Sequence, residues 1–237
     1  MKEILLIKDR MPEIEALGFI PTMRKGNTGI GYTLEKLFGI EENNNSGADL
    51  NGVIEFKAAR KGKSGRTTGF CQNFIWNYRI RDVIRKYGWR DREKKERINF
   101  YPSLRVNVRS PNGLSMSIDD EVLSIYDSDE TVLASIPLAV VVFRFQQKLN
   151  KLLLVYADTK KIEGKEHFHY NEAYVCQEPD MEQVIKLLRD GKIVVEPRCY
   201  IDTSNDRLRD RGVAFRLSGN YLKELYSNVV KVIGEEK

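Results

Sequence analysis

Short apolar runs and alternating positions dominate the chain, and they predict more strands than helices. Alternating or continuous apolar segments predict eight strands: Val53–Ala58, Leu104–Arg109, Leu114–Ile118, Val122–Tyr126, Lys151–Ala157, His167–Gln177, Ile193–Ile201 and Val213–Leu217. Helical spacing predicts five helices: Pro12–Leu17, Thr33–Phe38, Cys71–Tyr87, Met181–Arg189 and Tyr221–Ile233. Gly88 and Gly191 follow two of these helices at positions where glycine commonly ends a helix.

The order of these elements bears on the fold class. Strands and helices interleave without a regular βα repeat, which favours a mixed α/β (α+β) fold over a doubly wound one. We therefore expect a mixed central sheet flanked by helices. With 237 residues, the chain is long enough for one large domain, and we expect a single domain over 1–237, either undivided or with two lobes around a groove.

Composition indicates in which cellular compartment the protein is expected. The longest apolar stretches, such as Leu138–Phe143 and Leu152–Ala157, are too short to span a bilayer. Acidic and basic residues interrupt the N-terminal segment, which argues against a signal peptide. Three widely spaced cysteines form neither a disulfide framework nor a zinc motif. These features predict a soluble protein of the reducing cytoplasm, with no membrane partner.

The basic residues are unevenly distributed. The net charge is +5, yet residues 57–110 hold 16 Lys and Arg against 4 Asp and Glu. A concentrated basic excess indicates a polyanionic partner such as nucleic acid. A solvated basic face without a ligand is the other interpretation of the same pattern.

Candidate chemistry lies in the segment GADLNGVIEFKAAR, residues 47–60. Side chains alternate along a strand, so Glu55 and Lys57 share one face while Ile54 and Phe56 point into a core. With Asp49 at the strand entrance, two carboxylates supply oxygen ligands for Mg²⁺, and the lysine can reach a water or a phosphate. By itself the pattern is more typical of a surface ion pair than of a catalytic site, and the basic residues that follow at once, from Arg60 to Arg66, are what favours the catalytic interpretation.

The stretch RKGNTGIGYTLE, residues 24–35, followed by Asp49, Glu55 and Lys57, resembles the MvaI/BcnI family of Type II restriction endonucleases. These enzymes are relatives of the MutH nickase within the PD-(D/E)xK nuclease fold. Four later segments resemble family blocks in the same order: KLLLVYAD (151–158), HFHYNEAY (167–174), GKIVVEPR (191–198) and DRGVAFRL (210–217). The resemblance spans most of residues 24–233, but residues 70–130 cannot be matched one by one.

The resemblance implies a MutH-like fold with a DNA-binding cleft, a catalytic part at about 1–160 and a recognition part at about 161–237. It implies that Asp49, Glu55 and Lys57 are catalytic, with Asp49 and Glu55 as metal ligands. It also implies a catalytic role for Glu35, which lies behind the site and orients a metal-bound water or Lys57. The cofactor implied is Mg²⁺, replaceable by Mn²⁺, with Ca²⁺ supporting binding without cleavage. One departure concerns Asp49, because related enzymes have one residue fewer between the first acid and the Glu-x-Lys pair.

Recognition of a short GC-rich, CCNGG-like site is also implied. Guanine is commonly contacted by arginine in the major groove, and Arg198 and Arg216 match such positions, with Asp210 an acid near the same surface. Further candidates for DNA contact are Lys25, Asn27, Arg60, Lys61, Lys63, Arg209 and Arg211. Lys25 and Asn27 precede a helix whose N-terminus could hold a phosphate. For each arginine, a phosphate contact or a surface ion pair is the competing interpretation.

The function expected is a Mg²⁺-dependent, sequence-specific endonuclease that cuts double-stranded DNA and leaves 5′-phosphate ends. We expect a monomer that nicks one strand and then reorients, and a DNA methyltransferase of the same system that forms no stable complex with it. A MutH-like strand-specific nickase and a non-catalytic DNA-binding protein remain as alternatives. An RNA-binding protein is disfavoured because the sequence lacks the common RNA-binding motifs.

Overall fold

The computed structural model describes residues 2–41, 47–63 and 65–234, and the chain divides into two units. The first unit contains Met1–Thr67, Gln146–Asp180 and Ser218–Lys237, and the second contains Thr68–Phe145 and Met181–Leu217. Each unit is therefore assembled from separate stretches of the chain. The expected division of roles between residues 1–160 and 161–237 stays a prediction.

Six helices occur in the described residues: α1 (Lys2–Ala16), α2 (Gly29–Leu37), α3 (Ile80–Tyr87), α4 (Leu138–Leu149), α5 (Met181–Arg189) and α6 (Gly219–Glu224). The first seven strands are β1 (Ile20–Pro21), β2 (Glu55–Arg60), β3 (Arg66–Cys71), β4 (Ile75–Trp76), β5 (Trp89–Arg90), β6 (Arg97–Phe100) and β7 (Ser115–Asp119). The other seven are β8 (Val122–Tyr126), β9 (Val132–Pro137), β10 (Leu152–Ile162), β11 (Lys165–Pro179), β12 (Val194–Asp202), β13 (Arg207–Ser218) and β14 (Tyr226–Ile233).

A mixed sheet organises the first unit. Its strand order is β1-β11-β10-β2, with β14 also paired to β11. Strands β10 and β2 are parallel, with Leu152 opposite Glu55, whereas β11 pairs antiparallel with its neighbours. One face of this sheet packs against α1 and α2 in an apolar core that includes Met11, Leu34, Phe56 and Leu153. Glu55 and Lys57 therefore project from the other face.

The second unit contains two sheets, with the strand orders β3-β13-β12-β6-β5 and β4-β9-β8-β7. Strands β12 and β13 form a long antiparallel pair with an irregularity between Pro197 and Cys199. Phe215 of β13 stacks on Phe70 at a ring-centroid distance of 4.7 Å, and Phe74 lies on the same cluster. This aromatic packing anchors the β12–β13 pair in the interior of the unit.

The predicted α+β class, with a mixed sheet flanked by helices, is confirmed. Helix α5 has the predicted bounds, and β2, β7, β8, β10, β11 and β12 lie where alternation or apolar runs predicted strands. Helices α1 and α2 begin earlier than predicted, and β13 begins six residues before Val213. Strand β9 and helix α4 were not predicted. No helix among the described residues is long and apolar enough to cross a membrane.

Three predicted elements are wrong. Only Ile80–Tyr87 of the predicted helix Cys71–Tyr87 is helical, because Phe74 packs on Phe215 and the next two residues, Ile75 and Trp76, pair with β9. The segment Tyr221–Ile233 is the end of α6 followed by β14, because it pairs with β11. Residues 104–109 form isolated bridges and no strand, since Asn107 has a φ of +59° that breaks extended structure.

Candidate active site

Glu55 is the most enclosed charged group of the first unit's sheet, with 2% of its surface exposed. The ammonium of Lys57 contacts its Oε1, and the Nζ of Lys148 lies 2.8 Å from its Oε2. Both lysine side chains are less than a fifth exposed. A buried carboxylate is costly unless opposite charge accompanies it, and here two cations do so.

Local structure explains how these groups meet. Residues 55 and 57 are two apart on β2, so alternation brings both side chains to one face, as predicted. Asp49 lies just before the strand, and its Oδ2 accepts a hydrogen bond of 2.9 Å from the backbone N–H of Phe56. That bond fixes the Asp49 carboxylate beside the backbone of the residue that follows Glu55. The structure therefore brings together the three residues of the predicted catalytic set.

Glu35 lies on α2, the helix that packs on the apolar face of β2, and is partly buried. Its Oε1 lies near Gly31, the residue one turn earlier. Its placement relative to Glu55 depends on the packing of α2 against the sheet, and its catalytic role stays a prediction.

The donor set is compatible with a divalent cation. Although Lys148 lies 2.8 Å from Glu55 Oε2, this buried oxygen accepts no hydrogen bond of good geometry in the described part of the chain. Asp49 adds a second carboxylate. Among the described residues, no group of three or more His, Cys, Asp or Glu side chains forms a closed metal site. Two carboxylates suit Mg²⁺, which keeps several waters and binds few protein ligands.

Lys148 is the site residue that the sequence reasoning missed. It lies in the last turn of α4, and its Nζ also donates to the carbonyl of Gly47, two residues before Asp49. Helix α4 leads directly into β10, and the backbone N–H of Glu55 donates to the carbonyl of Lys151. The sequence showed Leu138–Phe143 only as an apolar run too short to span a bilayer, and no local pattern indicated a helix there or which residue the lysine contacts.

The basic residues at the end of β2 and after it differ in whether they pair with acidic side chains. Arg60 donates two hydrogen bonds of 2.7 Å to Glu166 and one of 3.2 Å to the carbonyl of Asn27. The hydrogen bonds with Glu166 raise the pKa of Arg60 and lower the pKa of Glu166. Lys61 pairs with Glu172 at 3.3 Å. Arg60 therefore supports the loop before α2.

Lys63, Lys25 and Asn27 are exposed. Lys63 lies in the turn after β2, and Lys25 and Asn27 lie in the loop that leads into α2. Their side chains remain accessible to a partner, and their contact with DNA stays a prediction.

In the second unit, Arg216 of β13 is held by Glu196 of β12. The Nη1 of Arg216 lies 2.6 Å from Oε2 of Glu196, and the hydroxyl of Ser103 donates to Oε1 at 2.8 Å. The Glu196 side chain is 9% exposed and the Arg216 side chain 32% exposed. The acid thus orients the guanidinium from the buried side. Glu196 was not among the predicted site residues, because in the sequence it is one polar residue in an apolar strand.

The other predicted recognition residues cluster on the same strand pair. Arg198 donates 2.7 Å and 3.0 Å hydrogen bonds to the carbonyl of Arg211 and the Sγ of Cys71. Asp210 accepts a 2.7 Å bond from the N–H of Gly212, whose φ of +75° favours glycine. Arg209 and Arg211 are exposed. The predicted site residues therefore form two groups, one in each unit.

Solved structures show a similar fold. A complex described as "Restriction endonuclease MvaI-cognate DNA substrate complex" matches with a TM-score of 0.80 and 21% identity, over 98% of this chain and 99% of that chain. A structure described as "Restriction endonuclease MvaI in the absence of DNA" matches with a TM-score of 0.57 and 20% identity, over 98% of each chain. No curated protein matches significantly. The fold is thus that of a restriction endonuclease.

A family model makes the assignment specific. The model described as the MvaI/BcnI restriction endonuclease family matches residues 8–226. The chain belongs to the MvaI/BcnI restriction endonuclease family. It is therefore a site-specific DNA nuclease, as the sequence resemblance implied.

Proposed function

We propose that the protein is a Mg²⁺-dependent endonuclease that hydrolyses both strands of DNA at a short GC-rich, CCNGG-like site and leaves 5′-phosphate ends. The observation that supports this most directly is the buried Glu55 carboxylate, which contacts two lysines and lies beside Asp49 in a chain of this family. Members of such nuclease families generally use a divalent metal, and the two carboxylates fit one.

Each residue has a separate task in this proposal. Asp49 and Glu55 hold the cation, and Lys57 positions a water or contacts the scissile phosphate. When bound, Mg²⁺ orients and acidifies the attacking water and offsets the charge that develops on the phosphate. Lys148 balances the Glu55 carboxylate and ties it to the Gly47 backbone. In-line attack by water then breaks the bond to the 3′ oxygen and leaves a 5′-phosphate.

Base recognition is assigned to the second unit. Arg216, which Glu196 holds in place, and Arg198, which is fixed by the Arg211 carbonyl, offer oriented guanidinium groups to guanine. Asp210, Arg209 and Arg211 lie on the same strand pair and complete the proposed recognition surface. Restraint of an arginine before binding lowers the entropy cost of a base contact.

Digestion of a plasmid of known sequence with Mg²⁺ tests this function. We expect linear product with uniform 5′-phosphate ends at one short sequence. Glu55→Ala should lower the cleavage rate by about 10³-fold or more, since metal ions supply several kcal/mol of transition-state stabilisation. Binding of the variant to the same DNA in Ca²⁺ should persist. Cleavage by the variant at the wild-type rate would contradict the site assignment.

The same experiment separates the alternatives. Stable accumulation of open-circular plasmid without linear product would favour a MutH-like nickase. Sequence-specific binding without cleavage in Mg²⁺ or Mn²⁺ would favour a non-catalytic DNA-binding protein. Mass measurement in solution with and without DNA tests the proposed monomer.

A further inference from the structure

The sheet face that carries the proposed catalytic residues leads into a cavity of about 690 Å³ that none of the roles above uses. Lys57 lies opposite Leu154, and Leu154 lies opposite Tyr174, so Tyr174 is on the same face as Lys57. The cavity is lined by Glu172 and Tyr174 of β11, by Glu15 of α1, and by three lysines, Lys61, Lys223 and Lys231, so that three basic residues face two acidic ones. All of these residues belong to the first unit.

Positive charge exceeds negative charge where the lysines meet. Glu172 is already engaged, because it accepts a 2.9 Å hydrogen bond from the hydroxyl of Tyr174 and pairs with Lys61 at 3.3 Å. The ammonium of Lys223 instead lies over aromatic rings, 4.1 Å from the ring centroid of Tyr174 and 5.9 Å from that of Tyr156. Within the described ranges, no carboxylate forms an ion pair with Lys223. Its charge acts on Glu172 through space without a direct ion pair, so it is only partly compensated and can bind an anion.

Two tyrosine rings, those of Tyr156 and Tyr174, lie beneath the ammonium of Lys223. The hydroxyl of Tyr156 is buried and has no hydrogen-bond partner in the described part of the chain. Burial raises the pKa of both Tyr156 and Tyr174 to about 12, so both hydroxyls keep their protons at neutral pH. Because neither tyrosine is ionised, the rings add no negative charge, and the ammonium groups suit a phosphate group better than a cation.

We propose that Lys223, with the cavity around it, binds a backbone phosphate of the DNA that flanks the scissile bond. A strand rises about 3.3 Å per residue, so Lys61 lies about 13 Å along β2 from Lys57, a span of about four nucleotides along a duplex axis. A duplex strand whose scissile phosphate lies at Lys57 can therefore present another phosphate near this cavity. The inference rests on the proposed endonuclease function.

Lys223→Gln is the variant that tests this site, and Lys8→Gln is its matched control. Lys8 is an exposed lysine of α1, whose apolar side packs on the opposite face of the sheet. Binding is measured in Ca²⁺ from 50 to 200 mM salt, on a duplex with long flanks and on one that ends at the recognition site. Lys223→Arg, which keeps the charge, and thermal unfolding of each variant show whether any loss comes from charge or from misfolding.

On the long duplex we expect Lys223→Gln to make the log–log salt slope less negative by about 0.9, the value for one phosphate contact. Lys223→Arg and Lys8→Gln should keep the wild-type slope, and on the short duplex Lys223→Gln should bind like the wild type. The inference would be overturned if Lys223→Gln had the same salt slope as Lys8→Gln on the long duplex. It would also be overturned if Lys223→Gln lost the same affinity on both duplexes.

Three outcomes separate failure of this inference from failure of the proposed function. Calorimetric titration with inorganic phosphate tests whether the cavity binds a free anion. If phosphate binds the wild type but not Lys223→Gln, and the salt slopes for DNA binding are the same in both proteins, the cavity binds a free phosphate and the DNA contact is overturned. A wild-type protein that neither binds nor cleaves DNA would overturn the proposed function itself. Specific cleavage by the wild type with an unchanged slope in Lys223→Gln would overturn this inference alone.

Discussion

Two strand glutamates, Glu55 in the first unit and Glu196 in the second, are both buried and both contact cations. They differ in how exposed the contacted cation is. At Glu55 the two lysine side chains are themselves largely buried around the carboxylate. At Glu196 the guanidinium of Arg216 is about a third exposed, and the acid supports it from the buried side. The first arrangement stabilises a carboxylate that can bind a metal, and the second orients a cation that can contact a partner.

Among the cations that contact the two glutamates, the largest effect is expected at Lys148, because its removal leaves the buried Oε2 of Glu55 without an opposite charge. Lys148→Met should destabilise the fold by about 2–3 kcal/mol, less than the full loss of a buried pair because Lys57 remains. Cleavage should fall by about 10²-fold, since about 3 kcal/mol of lost transition-state stabilisation corresponds to that factor. Urea unfolding and plasmid cleavage measure the two effects.

A double-mutant cycle with Glu55→Gln is the control for this prediction. Once the carboxylate is neutral, Lys148→Met should cost much less stability than in the wild type. An equal cost in both backgrounds would mean that Lys148 acts through packing and would remove the contrast with Glu196.

Variants of Arg216 and Glu196 test the second glutamate site. Arg216→Ala should cost about 1–3 kcal/mol of binding free energy on the preferred site and relax the choice at one base pair. Glu196→Gln should weaken the same discrimination by a smaller amount, because the arginine remains but loses its charged support. Dissociation constants on the preferred duplex and on single-base variants measure both effects. A uniform loss on all sequences would identify Arg216 as a phosphate contact.

A smaller effect is expected at the pair of Arg60 and Glu166, which supports the loop before α2. The hydrogen bonds from Arg60 lower the pKa of Glu166 from its usual 4.5, so this pair stabilises the fold above that pH. The stabilisation is lost as the pH falls through the lowered pKa. Arg60→Gln should therefore cost about 1–2 kcal/mol at pH 7 and progressively less as the pH falls below 4.5, as measured by urea unfolding across that range.

The smallest effect is expected at Asp127 in the second unit. The hydroxyl of Tyr87 and the N–H groups of Asp129 and Thr131 donate to this carboxylate and lower its pKa to about 2. Its contribution is present above its usual pKa of 3.8 and is lost as the pH falls through about 2. Tyr87→Phe should move that loss to a higher pH. Far-ultraviolet circular dichroism between pH 1.5 and 5 measures the shift, and an unchanged profile would contradict it.

Local patterns predicted the parts of the site that lie on one element. Glu55 and Lys57 were placed together because strand alternation is a property of the backbone itself. Helix α5 was predicted with its observed bounds because its apolar spacing and Gly191 agree on one local structure. The segment Tyr221–Ile233 was predicted wrongly, since its pairing with the edge of β11 outweighs its helical spacing.

The sequence by itself determined the α+β class, the family, the strand that carries Glu55 and Lys57, and the arginines of β12 and β13, because each of these depends on short-range spacing or on ordered blocks of residues. Only the tertiary structure decided that Lys148 contacts Glu55, that Glu196 supports Arg216, and that Arg60 supports the Asn27 loop. Lys148 is 93 positions from Glu55 in the chain. The parallel register of β10 and β2 brings the last turn of α4 to the start of β2, and no local pattern encodes that register.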